Sequence, residues 1–346
     1  MLVLGVESSC DETAAAVVED GRRVLSNIVT AQHDLHRPFG GVIPELAARA
    51  HAERVTAVMA EALTEAQCGL DDIEGLAVAH RPGLVGALLV GLSAVKALAW
   101  CRRKPFVGVD HLQAHVYAAY LAGWRTYPHL ALLVSGGHTA LYRVQSPLEM
   151  DVLGMTVDDA AGEAFDKAAK LLSLGFPGGP ALAKCAESGN PHAVDFPRSA
   201  PKSGGFNFSF SGLKTALYYH LRGTTRGRGP LREIGENERA DIAASFQEAV
   251  CEILTERTLA ACVAGASQAV SVVGGVACNR RLRSMFQARG QAVGVEVFFP
   301  PPQFCGDNAA MAAGLGWVRL QNGQRDELSL DADPTPRRAA RRPASQ

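Results

Sequence analysis

Apolar and polar positions along the chain fall into blocks that predict short strands and longer helices in turn. Leu2 to Val6 is an apolar run rich in β-formers, residues 8–12 are polar, and Thr13 to Val18 is apolar again. That order predicts two strands joined by a tight polar turn. Residues 44–67 predict a helix, with Pro44 near its start and apolar positions at 46, 47, 50, 55, 58, 59, 62 and 63. Leu76 to Ala79 reads as a buried strand, and Leu84 to Trp100 as a helix that is apolar nearly all round and therefore buried. Pro105 to Val109 is a further strand and His111 to Leu121 a further helix. The opening pattern then returns: Leu130 to Val134 is apolar, Ser135-Gly136-Gly137-His138 is a turn, and Thr139 to Val144 is apolar. This is a duplication of architecture, not of sequence. Helices over 158–172 and 239–264, a strand at Ala269 to Val273, a helix from Asn279 to Arg289, a strand at Val295 to Phe299 and a helix from Asn308 to Gln321 follow. Alternating strands and helices of this kind predict an α/β protein with two lobes.

Composition agrees with two lobes. The chain has 346 residues, 47% of them hydrophobic and 20% charged, enough for full cores and too apolar for global disorder. The expected division is a first lobe over 1–125 and a second over 126–330 that carries a helical insertion at about 155–240. The tail 331–346 is rich in Pro, Arg and Ala and is expected to be disordered. A net charge of −1 removes any general attraction to nucleic acid or anionic lipid and suggests a small-molecule enzyme. The charge is unevenly spread, however. Phe196 to Arg232 holds seven basic residues (198, 202, 214, 222, 226, 228 and 232) and no acidic one, a stretch of +7 in a chain that is −8 elsewhere. Such a stretch is either a surface loop balanced in three dimensions or a patch for phosphates, joined by the arginines at 337, 338, 341 and 342.

Met1 to Val6 runs directly into polar Glu7-Ser8-Ser9, which is no secretory signal. Pro82 to Val95 is only 14 residues with three glycines, and Leu259 to Asn279 is broken by turn residues, so no membrane segment is expected. The eight cysteines are scattered without a C-x-x-C and read as reduced thiols of a cytoplasmic protein.

Several strings carry chemistry. His111 and His115 are spaced i, i+4, which puts both imidazoles on one helix face, where a carboxylate from elsewhere would complete a metal site. Asp307, in Cys305-Gly306-Asp307-Asn308, is the natural third ligand; its ordinary alternative is a helix cap. The pair lacks the Glu of H-E-x-x-H, which argues against a zinc protease. Ser135-Gly136-Gly137 at a strand end suits an anion held by backbone N–H groups, or is a plain hairpin turn. Gly274-Gly275-Val-Ala-Cys278-Asn279 suits a nucleotide at a helix N-terminus, or is a glycine-rich strand–helix turn. Gly178-Gly179-Pro180 is another glycine loop before a helix. Glu7, Asp11 and Glu12 place three carboxylates in the first hairpin, where Asp11 or Glu12 is suited to accept a proton. Glu163 and Asp166 against Lys167 and Lys170 read as a solvated, salt-bridged helix face.

Together these strings resemble one family. They are Gly5-Val-Glu-Ser-Ser-Cys-Asp-Glu-Thr13, Gly41-Val-Ile-Pro-Glu-Leu-Ala47, Pro82-Gly-Leu-Val-Gly-Ala-Leu-Leu-Val-Gly91 and Leu133-Val-Ser-Gly-Gly-His-Thr139, followed by Gly162-Glu-Ala-Phe-Asp-Lys167, Pro177-Gly-Gly-Pro180, Phe208-Ser-Phe-Ser-Gly-Leu-Lys214 and Gly274-Gly-Val-Ala-Cys-Asn-Arg280. In collinear order from about residue 2 to 320, they are similar to the tRNA N6-adenosine threonylcarbamoyltransferases, the TsaD family. The resemblance implies two related lobes of the sugar kinase/Hsp70/actin (RNase H-like) superfold around a central cleft. It implies transfer of a threonylcarbamoyl group from threonylcarbamoyl-adenylate to N6 of adenosine 37 in tRNAs reading codons that begin with A, with release of AMP. It maps metal ligands onto His111, His115 and Asp307, for one divalent ion, iron or else zinc. It maps donor binding onto Leu133, Val134, Ser135, Gly136, Gly137, Asp166, Gly179 and Asn279. It also implies partners: tRNA, a paralogous pseudo-enzyme (TsaB) and a small ATPase (TsaE). Arg81 stands where many members have Gly, a change expected to narrow a backbone approach near the cleft or to add a phosphate contact. The rival readings are an ATPase or small-molecule kinase of the same superfold, a metalloprotease, and a non-catalytic scaffold paralogue.

Overall fold

The computed structural model describes residues 1–198, 201, 204–223 and 232–335. The first half of the chain runs β1 (Leu2–Glu7), β2 (Glu12–Glu19), β3 (Arg23–Ala31), α1 (His33–His36), α2 (Pro44–Glu65), β4 (Gly75–Arg81), α3 (Val85–Arg102), β5 (Phe106–Asp110) and α4 (His111–Leu121). Its strands form a sheet in the order β3-β2-β1-β4-β5, with β1 antiparallel to β2 and parallel to β4. Alternation along β1 sorts its side chains. Leu4 and Val6 pack with Val58, Leu92 and Val95 of α2 and α3, while Val3 faces the other side. Among the described residues, α3, close to the expected Leu84–Trp100 helix, is the single helix long and apolar enough to cross a membrane by length and composition. Its Leu92, Val95 and Ala99 lie in the core of this lobe.

The second half runs β6 (His129–Val134), β7 (Thr139–Ser146), β8 (Glu149–Met155), α5 (Ala161–Leu171), α6 (Gly178–Ala186), α7 (Ser211–Arg222), α8 (Glu236–Ala261), β9 (Ala269–Val273), α9 (Arg280–Ala292), β10 (Glu296–Phe298) and α10 (Ala309–Gln321). Its sheet has the order β8-β7-β6-β9-β10, the same succession as the first, with β6 antiparallel to β7 and parallel to β9. The repeated strand–turn–strand is thus the start of two sheets of one topology. Helices α5 to α9 cover one face, with Phe165, Phe208, Phe246 and Phe286 fully buried among them.

Helices α4 and α10 occupy equivalent places, each following the last strand of its sheet, and they pack on one another between the two sheets. Small residues make that layer thin. A Cβ on Gly5 of β1 would stand 2.6 Å from the Ala309 carbonyl oxygen, and one on Gly314 of α10 would stand 2.6 Å from the Tyr117 ring of α4. The boundary expected at residue 125 divides the strands, but α10 crosses it: Ala309, Met311, Ala313 and Leu315 are core residues of the first lobe, beside Val3, Ala77 and Val107. Leu112, Val116 and Ala119 of α4 reach the other way, onto Leu133 and Val273 of the second sheet. The outer strands β3 and β8 and helix α7 are absent from the expected elements. Both strands are half exposed and lack the clean alternation that marks a half-buried strand.

Candidate active site

The exchange of helices between lobes brings the distant ligand candidates together. His111 and His115 lie on the first turns of α4, and Asp307 lies just before α10. Asp110 caps α4, its Oδ1 accepting from the N–H groups of Leu112 and Gln113 at 3.0 and 3.2 Å. Asn308, not Asp307, caps α10 by accepting from Met311 N–H at 3.1 Å, which leaves the Asp307 carboxylate free for other work. That carboxylate meets His115 Nε2 at 2.9 Å and His111 Nε2 at 3.7 Å. The donor atoms of the three residues lie within 4.8 Å of one another. Two imidazoles and one carboxylate are a donor set for a transition metal or zinc rather than magnesium, and their convergence on buried atoms fits such an ion. Burial opposes the charge on Asp307, but His111 and His115 hold its carboxyl well below the usual range. Burial likewise disfavours a charge on His111, yet Glu7 and Asp307 push it up to about 10.

Two neighbours of this trio stand in the candidate motifs without an assigned role. Glu7, at the end of β1, is fully buried, and its Oε2 accepts from His111 Nδ1 at 2.9 Å. Its sequence signals are a carboxylate ending an otherwise apolar strand and its place with Asp11 and Glu12 in the first hairpin. His138 closes the Ser135 turn near the same charges. Burial, then His111 and His115, lower its imidazole to about 4, so it is neutral.

On the first-lobe side, Asp11, Glu12 and His33 also bring their donor atoms within 4.8 Å. Here Glu12 Oε1 is already paired with His33 Nε2 at 3.6 Å, and the group is more open to solvent. Burial, reinforced by Asp307 and Asp11, lifts the Glu12 carboxyl to about 8 against the pull of His33. Bonding to Glu12 raises the His33 imidazole in turn. His33 is absent from the sequence-derived candidates because nothing in its local pattern links it to the β1–β2 turn.

The expected donor-binding residues line one wall, with two differences. Leu133 and Val134 have fully buried side chains within β6, so from this segment only the Ser135–Gly137 turn faces outward. Asn279 already uses its amide within the fold: its Oδ1 caps α9 through Leu282 N–H at 3.0 Å, and its Nδ2 donates one hydrogen to Gln247 Oε1 at 2.8 Å. Asp166 accepts from Gly178 N–H at 2.8 Å, where burial raises its carboxyl. It is therefore not part of the solvated face expected for α5, where Lys167 does pair with Glu163 as expected and also with Asp159. A Cβ added at Gly136, Gly137 or Gly179 would meet nothing within 4 Å, so these glycines border open space. Gly162 and Gly274 do the opposite and clamp the wall. A Cβ on Gly162 would lie 2.5 Å from the Ser135 carbonyl oxygen, and one on Gly274, at φ +94°, 2.3 Å from that of Val134.

Two charge expectations change. Arg81 is held by carboxylates. It is half-buried against Asp110, Nε to Oδ2 at 3.4 Å, and reaches Asp333 of the C-terminal segment at 3.9 Å. It thereby ties the chain's end to the residue that caps α4. Within the basic stretch, Arg198 pairs with Glu252 and Asp195, and Arg232 with Glu238, so part of its charge is balanced locally. Lys202, Arg226, Arg228 and the arginines at 337, 338, 341 and 342 lie outside the described residues.

The two sheets of equal topology around a cleft define the two-lobed fold of the sugar kinase/Hsp70/actin class. Solved structures agree. Component A of the (R)-2-hydroxyglutaryl-CoA dehydratase of Acidaminococcus fermentans superposes with a TM-score of 0.53 at 15% identity, over 93% of this chain and 99% of that one. Full-length HypF in its phosphate- and nucleotide-bound form gives 0.58 at 12% identity, over 93% of this chain and 46% of HypF. At such identities they speak for the fold alone. The sequence profile of the TsaD family, described as tRNA N6-adenosine threonylcarbamoyltransferase, matches residues 23–314. Curated proteins of that name are 52% identical in Syntrophotalea carbinolica, over 96% of this chain and 95% of the relative, and 52% identical in Geobacter sp. strain M21, over 96% of each. The chain belongs to the tRNA N6-adenosine threonylcarbamoyltransferase (TsaD) family.

Proposed function

We propose that this chain transfers the threonylcarbamoyl group of threonylcarbamoyl-adenylate to N6 of adenosine 37 in tRNAs reading codons that begin with A. The observation that carries the mechanism is the convergence of His111, His115 and Asp307 beside a wall of open glycine loops. A divalent ion held by those three, iron or zinc, would supply Lewis acidity to the carbonyl under attack. The N–H groups of the Ser135–Gly137 turn hold the adenylate phosphate. Asp166, Gly179 and the Asn279 turn bound the ribose and adenine. The N6 amine bonds to the carbamoyl carbon, the bond to the phosphate oxygen breaks, and AMP leaves. Glu12, aided by Asp11, accepts the proton lost from N6.

The experiment is mass spectrometry of tRNA nucleosides after incubation with the adenylate donor, with and without a TsaB-type paralogue and a TsaE-type ATPase, the partners we assign to this chain in the cytoplasm. Threonylcarbamoyl-adenosine appears if the reading is right. Phosphate transfer to a sugar or acetate with no nucleoside change would favour the kinase reading instead.

Glu12 also sets a pH dependence. Its ionised form is the base, and its carboxyl is raised to about 8, so the active fraction grows as pH rises. Transfer under kcat/KM conditions should climb tenfold per pH unit below that value and level off above it. Glu12→Gln should lower the rate by roughly 10²-fold and flatten the rise. A Gln variant with the unchanged profile would remove Glu12 from this role.

A further inference from the structure

Glu7 is placed as few carboxylates are. It ends β1, whose Val3, Leu4 and Val6 are core residues, and it is fully buried itself. A carboxylate taken out of water costs several kcal/mol unless it is paired and hydrogen-bonded. Both its oxygens are so committed. Oε1 accepts from Ser9 N–H at 2.6 Å, and Oε2 accepts from His111 Nδ1 at 2.9 Å. Ser9 Oγ lies 3.1 Å from the same nitrogen. The other imidazole of the trio has no such brace: His115 Nδ1 is buried and finds no partner among the described residues. One histidine is therefore held at Nδ1 by a dedicated anion, and the other meets a carboxylate only at Nε2, where Asp307 lies at 2.9 Å.

We propose that Glu7 is the positioning residue of the metal centre, holding His111 in the Nδ1–H form so that the Nε2 lone pair faces Asp307 and the ion. Carboxylate–histidine pairs of this kind raise the basicity of the ligand and fix its ring. Both Glu7 oxygens are taken up by Ser9 N–H and His111 Nδ1, so it acts through His111. The inference rests on His111, His115 and Asp307 being the metal ligands, and the test separates the two.

Apo protein of wild type, Glu7→Gln, Ser9→Ala and His111→Ala is titrated with Zn²⁺ against a competing chelator. Co²⁺ loading of the same four reports ligand geometry through its visible bands. Glu7→Gln has the same volume as Glu7 and keeps an acceptor, so it should fold, and its melting temperature without metal checks that it does. It should bind Zn²⁺ about 10- to 100-fold more weakly and shift the Co²⁺ bands. Ser9→Ala, which leaves the Glu7 contact in place, should stay within about twofold of wild type by the same reasoning. If His111→Ala loses the metal while Glu7→Gln keeps wild-type affinity and bands, Glu7 has no positioning role. A Ser9→Ala loss with an unaffected Glu7→Gln would overturn it equally. If wild type and His111→Ala bind alike, the ligand reading itself fails.

Discussion

Asp307→Asn is expected to empty the metal centre and lower transfer to tRNA on the order of 10³-fold, the scale of several kcal/mol of lost carbonyl polarisation. The structure makes the substitution clean. Asn308 caps α10, so the helix keeps its start, and an amide fills the same space as the carboxylate. What disappears is the charge that faces His115 Nε2 at 2.9 Å and His111 Nε2 at 3.7 Å. Metal content by elemental analysis and nucleoside mass spectrometry read the two effects separately. A metal-free Asn variant that turns over at the wild-type rate would end the metal-centred mechanism.

Gly162→Ala should act on the donor rather than on the ion. The added methyl would overlap the Ser135 carbonyl oxygen at 2.5 Å and Gly136 Cα at 2.6 Å, both backbone atoms of the expected phosphate cradle. Gly162 N–H also donates to Ser135 O at 3.2 Å, so the turn has to move as a unit with the start of α5. We expect a loss of about 1–3 kcal/mol in stability, typical of overpacking. We also expect the KM for the adenylate to rise at least about tenfold, the equivalent of one misplaced hydrogen bond. Gly179→Ala is the control for folding, because a Cβ there meets nothing within 4 Å and Ala favours a helix start over Gly. Its melting temperature should not fall. A Gly162→Ala enzyme with unaltered melting and donor KM would remove the Ser135–Gly137 turn from donor binding.

Some residues gain partners in the fold that their local sequence does not reveal. Asp166 and Lys167 are sequence neighbours with opposite fates: Asp166 turns inward to Gly178, and Lys167 outward to Asp159 and Glu163. Charge spacing on a helix names the pairs that are able to form, but it does not reveal which face another loop will cover. Arg81 is a similar case. The resemblance, with Gly at this place in many members, makes a phosphate contact one expected role, and the ion-pair partners it has among the described residues, Asp110 and Asp333, are 29 and 252 residues away in sequence. Asn279 holds the start of α9 and Gln247 with its side chain, two contacts that its glycine-rich motif does not reveal.

Local pattern determined most of the elements of this protein, because each needs only its own hydrophobic period and its own turn residues. The buried strands, the long helices and the i, i+4 histidines all follow from the chain by that rule. So does the repeat of strand, polar turn and strand, which became two sheets of one order. Asp307 is the natural third ligand from its loop before a helix, and the resemblance maps it there too, but only the fold closes the 196 and 192 residues that separate it from His111 and His115. Tertiary structure decided what needs long-range closure. It sent α10 back onto the first sheet and α4 onto the second, and that exchange is what sets Asp307 against both histidines. It also brought Glu7 under His111 and His33 beside Glu12. None of these contacts has a local signature, because a buried charge is stabilised by whichever partner the packed lobes deliver to it, and the chain near that charge does not carry the partner.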